Sequence, residues 1–332
     1  MKNFNKYKRV FFFTAAFVFL LSFCAFAESI SVIPCGETVG VKIYTEGLLV
    51  VGTDSVKEKS GKKVYPASRC GIKINDIILK ADNIELTTTE QFSEIVSSRL
   101  SGVNLSVKRG NDCFDVFAVP AVSEDGRARL GLWVRDSTAG IGTVTYINPE
   151  DMSFAALGHG ICDVDTGNIL SVKSGNILNC PVLSVTKSKK GSPGEISGSF
   201  DNVNLGSITK NTVHGIFGKA EDGAFSLTAK EIPVAHRSEV QTGNACILSD
   251  FENGEVKEYE IQINKISKSA DDKAIVFEVT DDTLKEKAGG IVQGMSGAPI
   301  IQNGKLVGAV THVFVNDPEK GYGILAETMY KN

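Results

Sequence analysis

From residue 125 onward the sequence is a succession of short apolar runs broken by Gly, Asn, Asp and Ser, and helical periodicity nearly vanishes. "GIGTVTYI", "SFAALGHGI", "CPVLSVTKS", "TVHGIFGKA", "EIQINKIS" and "AIVFEVT" are the clearest of them. Alternation with a period of two marks half-buried strands, and Asn253-Gly254 and Asn303-Gly304 are tight-hairpin signals because both residue types accept positive φ. Many short strands with turn signals over about 200 residues predict a β-barrel pair or a sandwich. One short helix is expected here, in "DDTLKEKAGG".

Residues 38 to 120 read differently. "VGVKIYTEGLLVVGT" alternates as a strand does and breaks at glycines, and a short helix or turn follows near Ala67 to Cys70. "TTTEQFSEIVSSRL" opens on capping threonines and places Phe92, Ile95, Val96 and Leu100 at helical spacing. "VNLSVKRGNDCFDVFAV" is a hairpin turning at Gly110-Asn111. This order of elements, with "GIKINDIIL", resembles the PDZ domain of bacterial secreted proteases, although Asn75 stands where glycine is usual. The resemblance implies peptide binding by strand addition, with main-chain amides holding a C-terminal carboxylate. The carboxylate loop would be Thr38, Val39, Gly40 and Val41, and the docking strand Lys42 to Tyr44. The alternative is a PDZ-like domain that packs on its neighbour and binds no free peptide.

Lys2, Lys6, Lys8 and Arg9 precede the apolar run 11–27, and Ala25-Phe26-Ala27 then offers a cleavage site before Glu28. That is the pattern of a signal peptide; the competing reading is an uncleaved anchor near the lower length limit for spanning a bilayer. Either way the protein is expected to be exported. The organisation expected is thus a signal or anchor at 1–27, a linker at 28–37, a PDZ domain at 38–122 and a second, β-rich domain at 123–332. Formal net charge is −4 and no basic stripe lies beyond the N-terminus, which leaves nucleic-acid binding without support. The cysteines form no C-x-x-C pair and no Cys/His cluster with zinc spacing, so neither metal nor cofactor is expected.

Chemistry concentrates in "GGIVQGMSGAPIIQNGKLVGAVTH", residues 289 to 312. Glycines around one serine suit a nucleophile whose neighbours must admit a substrate backbone. Gly294 and Ser296 would donate N–H groups to an oxyanion, each worth about 3 kcal/mol of barrier. Gly297 would permit the return into the next strand. A serine nucleophile needs a base and an orienting acid. Of His159, His214, His236 and His312, only His159 sits at a strand end between glycines, in "FAALGHGICD"; His312, in the strand after the serine turn, is the rival. The order "ALGHGIC" then "GMSGAP" follows the His-then-Ser order of double-barrel serine proteases. The strand after the serine, with Thr311, His312 and Val313, would wall the substrate pocket, with Gly321 and Gly323 opposite.

"VIPCGETVGVKIYTEGLLVVGT", "FAALGHGICDVDTG" and "DDTLKEKAGGIVQGMSGAPIIQNGKLVGAVTHVFVNDPEKGYGI" together closely resemble the SpoIVB family of sporulation signalling serine peptidases. The resemblance implies a chymotrypsin-like double β-barrel behind a PDZ domain. It implies secretion into the space around the forespore and cleavage of the extracytoplasmic part of a membrane-bound regulator. That cut triggers sigma-factor processing, and family members also cleave themselves. The family's histidine falls on His159, its serine on Ser296 and its aspartate on Asp281, with Asp282 where proline is frequent. Residue chemistry alone would also nominate Asp163 and Asp165, close to His159. Two other readings stand beside this one, a general envelope housekeeping protease and a non-catalytic PDZ scaffold.

Overall fold

The computed structural model describes residues 30–225, 229–267 and 272–332. The expected signal segment, residues 1–27, lies outside them. After the short strand β1 (Ser31–Pro34) comes β2 (Thr38–Thr53), one strand that serves two cores. Val39, Val41 and Ile43 point into the first, Leu48 and Val50 into the second. The change of parity falls at Gly47, where φ is +70° and a Cβ would lie 2.5 Å from the Ile78 carbonyl oxygen. A one-residue slip turns every later side chain to the opposite face, so one continuous strand can pass from one sheet into another.

The second core belongs to an insert. Its elements are α1 (Pro66–Arg69), β3 (Ile77–Ala81), α2 (Thr89–Ser97), β4 (Val103–Arg109) and β5 (Asp112–Ala118), and the chain returns along β6 (Leu132–Ile147). The helix and hairpin expected from the sequence are both present. Thr88 caps α2 by accepting the Gln91 N–H at 3.1 Å, while Phe92 and Val96 turn inward. In "GIKINDIIL" Asp76 is fully buried, accepts the Lys73 N–H and takes Arg109 in a bidentate pair at 2.6 and 2.7 Å. Asn75 has φ of 75°, the region that Asn enters more readily than most side chains, which explains why it can replace glycine. Asp76→Ala strands the guanidinium; because Arg109 is partly exposed, we expect a loss of about 2 kcal/mol, below the full value for a buried pair, readable by urea unfolding.

The other strands of the two barrels are β7 (Ser153–Ala156), β8 (Val172–Asn179), β9 (Asn204–Thr212), β10 (Gly215–Ala220), β11 (Gly243–Ser249), β12 (Lys257–Ile266), β13 (Ile275–Val279), β14 (Pro299–Gln302), β15 (Lys305–Val313) and β16 (Lys320–Leu325). Helix α3 (Asp282–Ala288) links β13 to β14, and α4 (Ala326–Tyr330) follows β16. In the first barrel the neighbours run β6–β7–β10–β9–β8–β2, and β2 pairs with β6 to close the ring. In the second they run β11–β12–β13–β16–β15–β14, with β14 back on β11. Numbered in chain order within each barrel, both rings read first, second, third, sixth, fifth, fourth. The same ring order built twice is the chymotrypsin-like double β-barrel expected from the sequence. Asn303 and Gly304, with φ of 51° and 72°, close the tight β14–β15 turn, whereas Asn253-Gly254 lies within a longer β11–β12 connection.

The expected boundaries at 28–37, 38–122 and 123 are displaced by these pairings. Ile33 and Pro34 pair with Ile147 and Tyr146, so the expected linker carries a strand. Thr38 to Thr45 belongs to the first barrel, and Leu132 to Arg135 belongs to the sheet of the insert. Thr38, Val39, Gly40 and Val41 therefore form no carboxylate loop. Gly140 to Thr143 occupy one of their edges, and Ile177 to Asn179 pair with Val39, Gly40 and Val41 on the other, leaving no free edge for a ligand. Lys42 to Tyr44, expected as the docking strand, are likewise paired on both sides. Thr38 instead donates its N–H to Asp250, at 2.9 Å, tying one barrel to the other.

Candidate active site

The serine turn is built by backbone bonds that only glycines permit. Gly297 has φ of 98°, and a Cβ there would lie 2.0 Å from the Thr143 carbonyl oxygen and 2.5 Å from the Leu157 nitrogen. Gly297 donates to Val310 O and Ala298 to Met295 O, which folds the turn back onto β15. Gly294 has φ of 101°. Among the described residues neither Gly294 nor Ser296 donates its N–H to a backbone carbonyl, which leaves both donors open. The Ser296 hydroxyl donates to Thr311 O at 2.9 Å.

His159 arrives from the other barrel. β7 ends at Ala156, and Leu157 and Gly158, both with φ of 69°, reverse the chain. Gly158 packs so closely on β15 that a Cβ would meet the Thr311 methyl at 2.9 Å and the Val310 carbonyl oxygen at 3.4 Å. The same Thr311 carries the carbonyl that receives Ser296. Two loops from different barrels thus meet at one residue. His159 Nδ1 lies 3.0 Å from Gly160 O, which assigns the ring proton to Nδ1 and leaves Nε2 with a lone pair, as a base requires.

Residues outside the expected set join these loops. Thr143 on β6 donates its N–H to Ser296 O and its hydroxyl to Gly294 O, both at 2.8 Å, and its carbonyl accepts the Leu157 N–H. Thr145 donates its hydroxyl to Gly297 O at 2.8 Å. Both threonines are fully buried. Thr143→Val keeps the shape but leaves the Gly294 carbonyl without its donor, at a cost of about 1–3 kcal/mol. We expect kcat to fall roughly tenfold to a hundredfold with KM little changed, and Thr143→Ser to restore it, in steady-state peptide hydrolysis. In the sequence these residues read only as strand-forming threonines of "GIGTVTYI". Asn211 is a second such residue: it binds Ile161 N, Ile161 O and Leu170 O, and so fixes the chain just after His159.

Asp281 caps α3, accepting the Leu284 N–H at 2.8 Å, and no hydrogen bond or ion pair joins it to His159 among the described residues. It follows the end of β13, two residues past Val279. Asp163 and Asp165 pair with Arg135, at 3.1 and 2.7 Å, and Asp163 also accepts two backbone N–H groups of its own turn. Asp282 is the first residue of α3. The Gly160 carbonyl, not a carboxylate, faces Nδ1. Capping explains an aspartate at 281 because its oxygen satisfies an otherwise orphaned N–H at the head of the helix that leads into the glycine turn. Asparagine caps as well as aspartate, whereas Asp→Asn at an orienting acid costs about 10⁴ in kcat. Asp281→Asn is therefore expected to retain peptidase activity within about threefold, and Asp281→Ala to lose about 1 kcal/mol of stability. A collapse of kcat in Asp281→Asn would restore the orienting role.

Around the pocket, Thr311 is buried and its hydroxyl binds Asp272 O at 2.7 Å. The His312 ring lies 5.1 Å from that of His159, and its Nδ1 is buried without a hydrogen bond. Burial first, then the neighbouring His159 and Lys273, push the His312 pKa down, with Asp272 opposing them, which favours the uncharged ring beside His159. Val313 is half-buried on the same strand. Gly321 and Gly323 do not form a facing wall. They pair with β15 directly, and the space at each is filled from within the barrel, by Phe277 and Ile300. The rings of His214 and His236 are engaged with Asn332 and Ser238.

Residues 126–330 match the family SpoIVB peptidase S55. The chain belongs to this family. Its serine-peptidase activity accords with a serine and a histidine loop meeting between two barrels. Among solved structures the S55 chain is similar to the Rv3671c protease from M. tuberculosis in its active form, at 18% identity, covering 58% of this chain and 72% of that one with a TM-score of 0.32. It is also similar to the HtrA-type protease AlgW with decapeptide, at 11% identity, covering 59% and 52% with a TM-score of 0.35. No curated protein matches it.

Proposed function

We propose that this S55 peptidase is exported and cleaves the extracytoplasmic part of a membrane-bound regulator, so triggering sigma-factor processing during sporulation. The family match over residues 126–330 supports that role, and the basic and apolar N-terminus supports export. The hydrolytic step is carried by one observation, the packing of the His159 and Ser296 loops on Thr311. In this reading the Ser296 hydroxyl turns from Thr311 O toward His159 Nε2, which takes its proton as Oγ attacks the scissile carbonyl, and the N–H groups of Gly294 and Ser296 hold the oxyanion. His159 then gives the proton to the departing amine, and water repeats the cycle on the acyl-enzyme. The insert, with its PDZ-like "GIKINDIIL", serves to engage extended peptides. Cleavage of its own N-terminal region belongs to the same activity.

The test is N-terminal sequencing after incubating purified wild-type or Ser296→Ala protein with the regulator's extracytoplasmic domain. A discrete cut in that domain, and new termini of the protein itself beyond residue 28, are expected for wild type alone. Equal processing by Ser296→Ala would leave only a scaffold. Degradation of many unfolded proteins at comparable rates would replace the signalling role with housekeeping.

A further inference from the structure

In the insert, the edge of β2 that lies beside helix α2, where an extended peptide could be added, is taken. Residues 48–53 of β2 pair with β3 on one side, through Leu48 and Leu49. On the other side β6 runs antiparallel to them, with Leu132 opposite Thr53, Trp133 opposite Gly52, Val134 opposite Val50 and Arg135 opposite Leu49. Just before this stretch, Leu130 is 3% exposed and packs in one cluster with Leu48, Val50, Phe92 and Val96 of the strand and helix that wall the groove. Leu132 and Val134 lean on the same cluster, while Trp133 is 65% exposed. Alternate side chains thus enter a groove between a strand and a helix, which is how a peptide recognised by strand addition is read.

Backbone contacts hold the segment as a ligand would be held. Ala67 N–H donates to Leu130 O at 3.1 Å, and Asp54 N–H donates to Gly131 O at 2.9 Å. Gly131 has φ of 68°, and a Cβ there would lie 2.2 Å from Asp54 O, so only glycine seats the chain this deeply. Yet the fit is incomplete. A cleft of about 740 Å³ remains beside it, lined by Phe92, Ser93, Val96, Leu130 and Trp133 among others.

We propose that this groove is a peptide-docking site whose resident ligand is residues 130–134 of the same chain, and that another extended apolar peptide enters only by displacing it. The proposal rests on reading the insert as a peptide-binding module. It replaces the Thr38–Val41 site, whose edges are closed, with one that the molecule has already filled.

The probe is a fluorescein-labelled synthetic peptide of residues 127–136, added to the full chain carrying Ser296→Ala so that it is not cut. A tethered segment competes at an effective concentration of mM order, so the peptide should not bind measurably while the segment is intact. With Leu130→Ala and Leu132→Ala added, binding should tighten at least tenfold, and a scrambled peptide should not bind. Equal binding to both chains overturns the resident-ligand claim but leaves the module reading standing. A loosened chain that is folded by circular dichroism and binds nothing overturns both. Should the loosened chain not fold, hydrogen exchange on the unaltered chain decides. The amides of 132–135 are expected to exchange well before those of 141–147, and equal protection marks a permanent strand. None of these readouts depends on Ser296, so a failure here is separate from a failure of the peptidase reading.

Discussion

Ser296→Ala should lower kcat for hydrolysis of a casein or peptide reporter by on the order of 10⁵–10⁶, and His159→Ala should do nearly the same. The reason is that the two act as one unit. The hydroxyl is a poor nucleophile until a base removes its proton, and the base has no purpose without it. For the same reason the double variant should be no slower than either single one, since what survives comes from the oxyanion donors and substrate binding. Both side chains lie at the seam and are only partly buried, so circular dichroism and thermal unfolding should match wild type. Losses that multiply in the double variant would show that the residues work independently and would break the pairing inferred from Thr311.

Gly297→Ala should be almost as damaging, through geometry alone. The added methyl meets backbone atoms of the opposite barrel, Thr143 O and Leu157 N, and neither can rotate away as a side chain could. The same contacts link the turn holding Gly294 and Ser296 to the loop holding His159, so relief moves Ser296 and His159 apart. A displacement of 1 Å costs about 10²-fold, and several bonds of the turn shift together, so a loss of roughly 10³ in kcat/KM is expected. Gly304→Ala is the control. Its φ of 72° is equally unfavourable, but nothing lies within 4 Å, so it should lose a little stability and no activity. Comparable losses of activity in both variants would trace the effect to backbone strain and not to the seam.

Local signals in the sequence led to the right elements. Asn303-Gly304 closes the turn it suggests, Thr88 caps its helix, and the alternating runs are strands. The glycines about Ser296 and His159 were legible because each has a steric purpose that few residues besides glycine serve. Partner choice was not legible. "VGVKIYTEGLLVVGT" reads as a strand, but nothing local tells that its first half closes a barrel and its second half joins an insert and is covered on one edge by residues about 80 positions later in the chain. The clamp at Thr143 and Thr145 was hidden because threonine is an ordinary strand former, and burial separates a positioning hydroxyl from a decorative one. Asp281 shows the converse. Its place fifteen residues before Ser296 follows the family pattern, while its contacts are those of a helix cap.

The most direct measurement is labelling of the intact protein with a fluorophosphonate, read by peptide mass mapping, because phosphonylation requires an activated serine and no knowledge of the substrate. A single adduct on Ser296 is expected, slowed at least 10³-fold by His159→Ala and left nearly unchanged by Asp281→Asn. No adduct, an adduct on another residue, or labelling indifferent to His159→Ala would contradict a hydrolytic centre formed by these two loops.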